Sequence, residues 1–256
     1  MKNISVVIPF YKKIDEFKFS FENYNGKWFY IHNVELILVS DEPTQTDEIV
    51  EYAKNIELTL KVINNPNEHE WRNPYLPLNY GLKYSTREKI MVMSPESCFW
   101  NDAIEHLDRH CEEGQFSVGS IKFSTYDQRN ILQHSFPYNY YDFMGNAVYY
   151  GSICFRRQDG IAIGGYDTFN GKWGGDDDNF RARLRNLGIK KIKTDAKLIH
   201  YDRQDRVEES KSKEWEFTNE FLKWAKYPNY WFSSQADVFK YNHEDEFQLV
   251  YEHKVG

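Results

Sequence analysis

The residues Ile4-Ser5-Val6-Val7-Ile8-Pro9-Phe10 open the chain with a short, largely β-branched apolar run that ends at a proline and an aromatic residue. A second apolar run covers residues 34–39 and ends at Ser40-Asp41-Glu42-Pro43. Continuous apolar runs of this length are typical of parallel strands that helices cover on both faces. The two runs therefore predict neighbouring buried strands in an α/β fold.

Strand-like and helix-like patterns alternate along the following residues. Strands are predicted at 58–63, 89–93, 118–125, 151–156 and 192–199, and helices at 46–55, 77–85 and 101–113. This alternation is that of βαβ units, which build a Rossmann-like, mainly parallel sheet flanked by helices. A long helical pattern at 210–227 follows, so we expect a domain of residues 1–203 and a C-terminal helical appendage of residues 204–256 packed on it.

The composition limits the class of protein. The chain has 256 residues, of which 41% are hydrophobic and 17% aromatic, enough for a sizeable core. With 32 basic and 39 acidic residues the net charge is −7, which argues against nucleic acid as a partner, although a local basic groove for phosphate is compatible with it.

The cysteines and the apolar segments indicate in which cellular compartment the protein is expected. Cys98, Cys111 and Cys154 are an odd number without the close spacing of metal ligands, which favours reduced, buried thiols. The first apolar run is too short for a signal peptide, and no stretch reaches the roughly 18 apolar residues of a membrane span. We therefore expect a cytoplasmic protein.

An acidic cluster marks a candidate site. In Trp173-Gly174-Gly175-Asp176-Asp177-Asp178, two glycines bring three carboxylates to the start of a predicted helix. Phe180, Leu184 and Leu187 continue at helical spacing up to Gly188, a plausible stop. A carboxylate at such a turn can act as a general base, whereas the alternative is a solvated, well-capped helix start.

Polar residues follow several predicted strands. Ligands of open α/β sheets bind beyond the carboxyl ends of the strands. On that rule Pro9 to Tyr11, Asp41 and Glu96 should converge on one crevice. Residues 138–150, rich in Tyr and Asn, are either a loop lining a polar ligand site or a source of core aromatic side chains.

Together these patterns resemble family 2 glycosyltransferases of the GT-A fold over residues 1–203. The run from Ile4 to Tyr11 looks like the first strand of that family, and Leu38-Val39-Ser40-Asp41-Glu42-Pro43-Thr44 is similar to the end of its second strand. The second half resembles the C-terminal region of animal beta-galactosyltransferases and bacterial chondroitin-type polymerases. The resemblance implies a mixed, mainly parallel GT-A sheet and a UDP-sugar donor.

The resemblance assigns donor contacts to Pro9, Tyr11, Asp41, Arg72 and Asn79. Asp41 would accept a charge-assisted hydrogen bond from the uracil imide N–H. Arg72 and Asn79 fall where the family carries an Arg and an Asn ahead of its metal motif, and Arg72 would balance diphosphate charge.

The metal motif of the family is altered in this chain. Ser94-Pro95-Glu96 replaces its Asp-x-Asp, so one carboxylate remains. His200 matches the position of a histidine ligand in related enzymes, although a lone histidine is more often structural. The resemblance implies that Glu96 and His200 share a divalent cation, Mn²⁺ or Mg²⁺, together with donor phosphates and water.

The strongest likeness is to the acceptor side of galactosyltransferases. Gly164-Gly165-Tyr166, followed by the Trp-Gly-Gly-Asp-Asp-Asp stretch, is similar to their Gly-Gly-Phe/Tyr and Trp-Gly-Gly-Glu-Asp-Asp motifs. The alignment puts Asp177 at the catalytic base and Asp176 at an acceptor-binding acid. It also assigns the substrate site to Trp173, Gly174 and Gly175, with the indole of Trp173 offering a flat face to a sugar ring.

These assignments predict an inverting glycosyltransferase that moves a Gal or GalNAc type sugar to a saccharide or lipid-linked saccharide acceptor in surface polysaccharide synthesis. Such an enzyme could associate peripherally with the inner face of the membrane. One alternative is a non-catalytic protein that binds a nucleotide-sugar or a saccharide through a degenerate metal motif. Another, a nucleotidyltransferase acting on sugar phosphates, is disfavoured because no Gly-rich phosphate loop lies near the first strand.

Overall fold

A computed structural model describes residues 2–68, 75–125, 152–166, 176–202 and 247–255. Within these ranges the strands are β1 (Ile4–Phe10), β2 (Glu35–Ser40), β3 (Leu60–Asn64), β4 (Lys89–Val92), β5 (Ser97–Phe99), β6 (Gln115–Thr125), β7 (Ile153–Arg156), β8 (Lys190–Asp202) and β9 (Gln248–His253). The helices are α1 (Ile14–Ser20), α2 (Gly26–His32), α3 (Thr46–Ala53), α4 (Tyr75–Tyr84), α5 (Ala103–Asp108), α6 (Arg157–Ala162) and α7 (Asp176–Asn186). A π-helical turn, Phe21–Asn25, joins α1 to α2, and a 3₁₀ turn, Pro43–Gln45, precedes α3.

The described strands form one sheet in the order β5-β8-β6-β7-β4-β1-β2-β3-β9. Parallel pairs join β1 to β2 and β4, β2 to β3, and β6 to β8, whereas β5, β7 and β9 run antiparallel to their neighbours. Six of these nine strands therefore point the same way, and their carboxyl ends meet at one edge, named here the carboxyl edge. The predicted fold class, a mixed and mainly parallel sheet flanked by helices, is confirmed.

The core explains why the first strands are continuously apolar. Ile4, Val6 and Ile8 of β1 pack on one face of the sheet with α1, α2, α3 and α5. Val7 points to the other face, toward α4 and α7. Since both faces are covered by helices, neither set of alternate residues meets solvent.

Gly81 fixes the distance between α4 and the sheet. A Cβ atom built there would lie 2.2 Å from Cγ1 of Val7, closer than atoms can approach. The absence of a side chain at Gly81 thus lets the helix backbone settle directly on β1.

Several elements differ from the sequence prediction. The helix predicted at 101–113 is the shorter α5, which begins where the side chain of Asp102 accepts a hydrogen bond from the Glu105 N–H at 3.0 Å. The strand predicted at 192–199 is longer, so that His200 lies inside β8 instead of after it. Residues 14–32, which carried no firm prediction, form α1, the π-helical turn and α2.

The end of the chain is also part of the sheet. Strand β9 pairs with β3 and is the last strand of the described sheet, with Leu249 and Val250 exposed. This piece of the predicted helical appendage is therefore a strand. Its exposed apolar residues show no alternation from which a strand could be recognised. The predicted loop at 138–150 and helix at 210–227 lie outside the described residues, and the division at residue 203 stays a prediction. Among the residues described, no helix is long and apolar enough to cross a membrane.

Candidate active site

Three predicted donor contacts meet where β1 and β2 end side by side. Phe10 pairs with Ser40 in parallel register, and the Asp41 N–H donates to the Phe10 carbonyl at 2.8 Å. Asp41 is 1% exposed, while Pro9 and Tyr11 are half-buried. The structure therefore brings Asp41 next to the segment Pro9 to Tyr11, as the topology rule predicts.

The turn after β2 is held by its own polar groups. The Ser40 hydroxyl donates to the Glu42 carbonyl at 2.7 Å, and Glu42 accepts from the Thr44 N–H at 3.1 Å. Asn65 adds a hydrogen bond from its Nδ2 to the Asp41 carbonyl at 3.0 Å. Asp41 is thus presented by a braced turn and not by a loose loop.

Glu96 and His200 come together at the same edge. His200 Nε2 lies 3.1 Å from Glu96 Oε1, and the Glu96 side chain is 1% exposed. The ammonium of Lys13 pairs with that same oxygen. The predicted meeting of Glu96 and His200 is therefore found, with a lysine that the sequence prediction missed.

Hydrogen bonds hold the backbone around Glu96 from two sides. Strand β5 pairs Ser97 with His200, and the Tyr201 N–H donates to the Glu96 carbonyl at 3.1 Å. On the other side, fully buried Asn25 of the π-helical turn donates to the Ser97 carbonyl and accepts from the Phe99 N–H, both at 2.8 Å. These bonds fix the loop that carries the surviving carboxylate.

The described residues around Glu96 do not by themselves complete a site for a divalent cation. The donor set at Glu96 is one carboxylate and one imidazole, and the Lys13 ammonium already lies against the carboxylate oxygen that faces His200. Hard cations take several oxygen ligands, usually with more than one carboxylate or with substrate phosphates. No group of three or more His, Cys, Asp or Glu suited to a metal occurs in the described part of the chain.

The cysteines behave as predicted, as buried free thiols. Burial raises the pKa of the Cys98 thiol well above its ordinary value, and the negative charge of nearby Glu96 raises it further. Cys98 is therefore a buried thiol that packs beneath Glu96.

Asn79 braces the turn that precedes the acidic stretch. Its Nδ2 donates to the Tyr166 carbonyl at 2.8 Å, and its Oδ1 accepts from the Tyr166 N–H at 2.7 Å. The residue is 6% exposed. The donor contact assigned to Asn79 stays a prediction, because the contacts given by the structure serve the backbone of the Gly-Gly-Tyr turn instead.

Helix α7 packs on the Gly-Gly-Tyr turn and is hydrogen-bonded to it. Phe180 stacks on Tyr166 with ring centroids 4.1 Å apart. The Arg183 guanidinium donates to the carbonyls of Ile163 and Gly165, each at 2.6 Å. The position of α7 is therefore set by buried contacts, which gives its first turn a rigid support.

Asp177 lies in that first turn. Its Oδ2 is 3.1 Å from Nη2 of Arg181, and its side chain is 18% exposed. Helix α7 is followed by Gly188, with φ +83, and then by β8, which begins at the edge of the sheet opposite the carboxyl edge, named here the amino edge. The first turn of α7 is therefore at the end of the helix that lies away from the amino edge.

Of the remaining predicted site residues, only Asp176 lies among the described residues. Asp176 is the first residue of α7. Arg72, Trp173, Gly174 and Gly175 lie outside the described residues. The glycine turn and the indole of the predicted substrate site consequently stay predictions.

Comparison with known proteins gives a family match for part of the chain. A family described as the N-terminal domain of galactosyltransferase matches residues 130–206, which contain Asp177 and His200. No curated protein matches the chain in sequence.

Solved structures match over a longer stretch. GalNAc-T7 with UDP, GalNAc and Mn²⁺ superposes with a TM-score of 0.56 at 15% identity, covering 78% of this chain and 44% of that one. The mannosyltransferase PcManGT from Pyrobaculum calidifontis, in complex with GDP-Man and Mn²⁺, gives 0.51 at 16% identity, covering 77% and 56%. The chain thus spans about half the length of these structures, and the likeness shows a shared GT-A glycosyltransferase fold.

Proposed function

We propose that this chain is an inverting glycosyltransferase that moves a sugar from a UDP-sugar donor to a saccharide acceptor. The observation that carries the proposal is that Asp41, at the end of β2, and the adjacent pair Glu96 and His200 lie along the same carboxyl edge of a GT-A sheet. This edge is where open α/β sheets bind ligands. The match to a galactosyltransferase domain and the GT-A neighbours support the same reaction class.

The nucleotide would lie across the ends of β1 and β2. Asp41 is buried in a braced turn, so its carboxylate is pre-positioned to accept the imide N–H of uracil. Pro9 and Tyr11, half-buried on the adjacent strand end, would border the nucleoside, with Arg72 and Asn79 as further proposed donor contacts. The diphosphate would then extend toward Lys13 and Glu96.

Asp177 would act as the general base. In the proposed step it takes the proton of an acceptor hydroxyl while the hydroxyl oxygen attacks the anomeric carbon and the nucleoside diphosphate leaves from the opposite face. No covalent enzyme intermediate forms, so the anomeric configuration inverts. General-base assistance typically contributes about 10² to 10⁴-fold, and Arg181 would keep the carboxylate ionised and oriented at some cost in basicity.

The acceptor side would be formed by Trp173, Gly174, Gly175 and Asp176 together with the braced Gly-Gly-Tyr turn. The family match over residues 130–206 favours Gal or GalNAc as the transferred sugar. A growing surface polysaccharide or a lipid-linked saccharide is the proposed acceptor class, which would bring the enzyme to the inner face of the membrane. We also propose that the chain is a member of family 2, because its first two strand motifs resemble those of that family.

The neighbours were solved with Mn²⁺, and a divalent cation on Glu96 and His200 would neutralise charge on the leaving diphosphate. The two side chains lie together, but the Lys13 ammonium meets Glu96 at the same oxygen. A requirement for the cation would appear as UDP release that occurs only when Mn²⁺ is present.

The direct test is a donor screen. UDP-sugars are incubated with the protein in the presence and absence of Mn²⁺, and release of UDP is measured. Faster release from UDP-Gal or UDP-GalNAc than from UDP-Glc or UDP-GlcNAc is expected. No release from any UDP-sugar, with or without an acceptor saccharide, would contradict the proposal.

A non-catalytic binding protein is the second candidate, favoured by the incomplete metal motif. It predicts UDP-sugar binding in calorimetry without UDP release in any condition. The ion-paired, partly exposed Asp177 at a supported helix start favours catalysis, because a binding protein has no need of a base there.

A further inference from the structure

The Gly-Gly-Tyr turn has one defined backbone conformation. Gly164 and Gly165 have φ +77 and +75, left-handed values that glycine adopts without strain. The Gly164 N–H donates to the Ile161 carbonyl and the Gly165 N–H to the Gly160 carbonyl, each at 2.9 Å, so the turn closes the end of α6. Tyr166 follows as a buried residue, 2% exposed.

Asn79 holds this turn from the side of α4. Its Oδ1 accepts from the Tyr166 N–H at 2.7 Å, and its Nδ2 donates to the Tyr166 carbonyl at 2.8 Å. A backbone N–H only donates and a carbonyl only accepts, so this pairing fixes which way the amide is turned. Because both ends of the amide are engaged and the residue is 6% exposed, Asn79 anchors the backbone of Tyr166.

Arg183 holds the same turn from the side of α7. Its guanidinium donates to the carbonyls of Ile163 and Gly165 at 2.6 Å each, and its Nε donates to Asn179 Oδ1 at 2.7 Å. A planar guanidinium presents its donors in a rigid fork, whereas a lysine ammonium is a compact charge on a flexible chain. The turn is thus held between α4 and α7, and the first turn of α7 carries Asp177.

We infer that Asn79 and Arg183 are positioning residues for sugar transfer, because through the Gly-Gly-Tyr turn they hold the carboxylate of Asp177 in place relative to the sheet. The inference rests on the proposed function, and it replaces the donor contact proposed for Asn79 by a role on the acceptor side. A general base must lie within hydrogen-bond reach of the hydroxyl that it deprotonates, and a displacement of about 1 Å can cost about 10²-fold in rate. Loss of either anchor should therefore slow transfer without weakening nucleotide binding.

The test compares the rate of transfer with the affinity for UDP in Asn79→Ala and Arg183→Lys. The kcat, measured as UDP release from UDP-Gal in the presence of an acceptor saccharide, should fall about 10-fold or more in each variant. The dissociation constant for UDP, measured by isothermal titration calorimetry, should stay within about twofold of the wild-type value, whereas loss of a donor contact would raise it further. Asn55→Ala is the matched control with unchanged kcat, because exposed Asn55 also donates to a backbone carbonyl, that of Glu51 at 3.1 Å.

The double variant tests whether the two anchors act through the same turn. If they do, Asn79→Ala combined with Arg183→Lys should lower kcat about as much as the more damaging single variant, since residues that act as a unit have non-additive effects. Independent effects would multiply, so that two losses of about 10-fold would give about 100-fold. A multiplied loss would contradict a shared action through the turn.

The outcomes separate this inference from the proposed function. If Asn79→Ala weakens UDP binding and retains kcat, Asn79 is a donor contact, and the inference is wrong while the proposed function stands. If both single variants are folded and transfer sugar at the wild-type rate, the inference is also wrong. If the wild-type protein releases no UDP, both fall. Thermal melts show which variants are folded, and Arg183→Lys, which retains the positive charge, decides the question if Asn79→Ala does not fold.

Discussion

Each edge of the sheet contains a buried glutamate paired with a lysine, and the two pairs are built differently. At the amino edge, Glu35 at the start of β2 meets Lys61 of β3 at 2.9 Å. Its other partners are the Ser5 hydroxyl and both the N–H and the hydroxyl of Thr86. At the carboxyl edge, Glu96 meets Lys13 and His200, two side chains that remain 13% and 14% exposed.

The two glutamates differ in which groups their carboxylates contact and in how exposed those groups are. Glu35 is 0% exposed and is surrounded by donors of the strands and loops that it joins, so its interactions serve the fold. Glu96 orients two partly exposed groups at the edge where ligands bind. A similar residue pair thus stabilises the sheet at one edge, and at the other it lies in the donor site that we propose.

The largest effect is expected from breaking the amino-edge pair. Glu35→Gln leaves Lys61 as a buried charge with a weaker partner, and removing one member of a buried pair costs about 3 to 5 kcal/mol. Urea unfolding should show this loss, whereas Glu51→Gln, in an exposed pair, should cost about 1 kcal/mol or less. A Glu35 variant as stable as the wild type would mean that this pair does not serve the fold.

The next effect concerns the carboxyl edge and should leave the fold intact. Asp177→Asn retains the size of the side chain and removes its basicity, so sugar transfer should fall about 10²-fold or more with nearly unchanged UDP affinity. The measurement is product formation from a UDP-sugar and an acceptor saccharide, with Asp195→Asn as an exposed control. If Asp176→Asn abolishes transfer and Asp177→Asn does not, the assigned register is wrong by one residue.

A smaller effect is expected at the nucleotide. Asp41→Ala removes the proposed acceptor for uracil, and UDP binding should weaken by roughly 1.5 to 3 kcal/mol. Calorimetry with UDP measures the change, and Asp195→Ala provides a control at an exposed aspartate. Unaltered affinity of the Asp41 variant would remove Asp41 from the donor site.

The smallest effect is a pH dependence of stability from Glu35. Burial alone raises the pKa of Glu35, but hydrogen bonds from Lys61, Ser5 and Thr86 outweigh it and lower the pKa below its ordinary value of 4.5. A lowered pKa contributes stability that is present above the unfolded value and is lost as the pH falls through the folded value. Urea midpoints measured from pH 6 to pH 3 should fall less steeply in Glu35→Gln, and identical slopes would contradict this assignment.

The sequence was most informative where a pattern is local. The strand Ile4–Phe10 has the predicted bounds because a continuous apolar run is itself the requirement for a strand buried on both faces. The stop of α7 at Gly188 was predicted for a similar reason, since its φ of +83 suits glycine.

The site could be predicted only where topology brings strand ends together. Asp41 and Glu96 were placed at one edge by the rule for parallel sheets. Lys13 was missed because its partner Glu96 lies 83 residues later in the chain. The contact of Asn79 with Tyr166 spans 87 residues and has no local signature either.

The close approach at Gly81 has a consequence for how this protein can vary. Since α4 rests directly on Val7, the depth of the helix sets the height of Asn79 and, through its paired hydrogen bonds, that of Tyr166. The Gly-Gly-Tyr turn therefore takes its position from the hydrophobic core. A single added methyl group at Gly81 would therefore displace the Gly-Gly-Tyr turn from a distance.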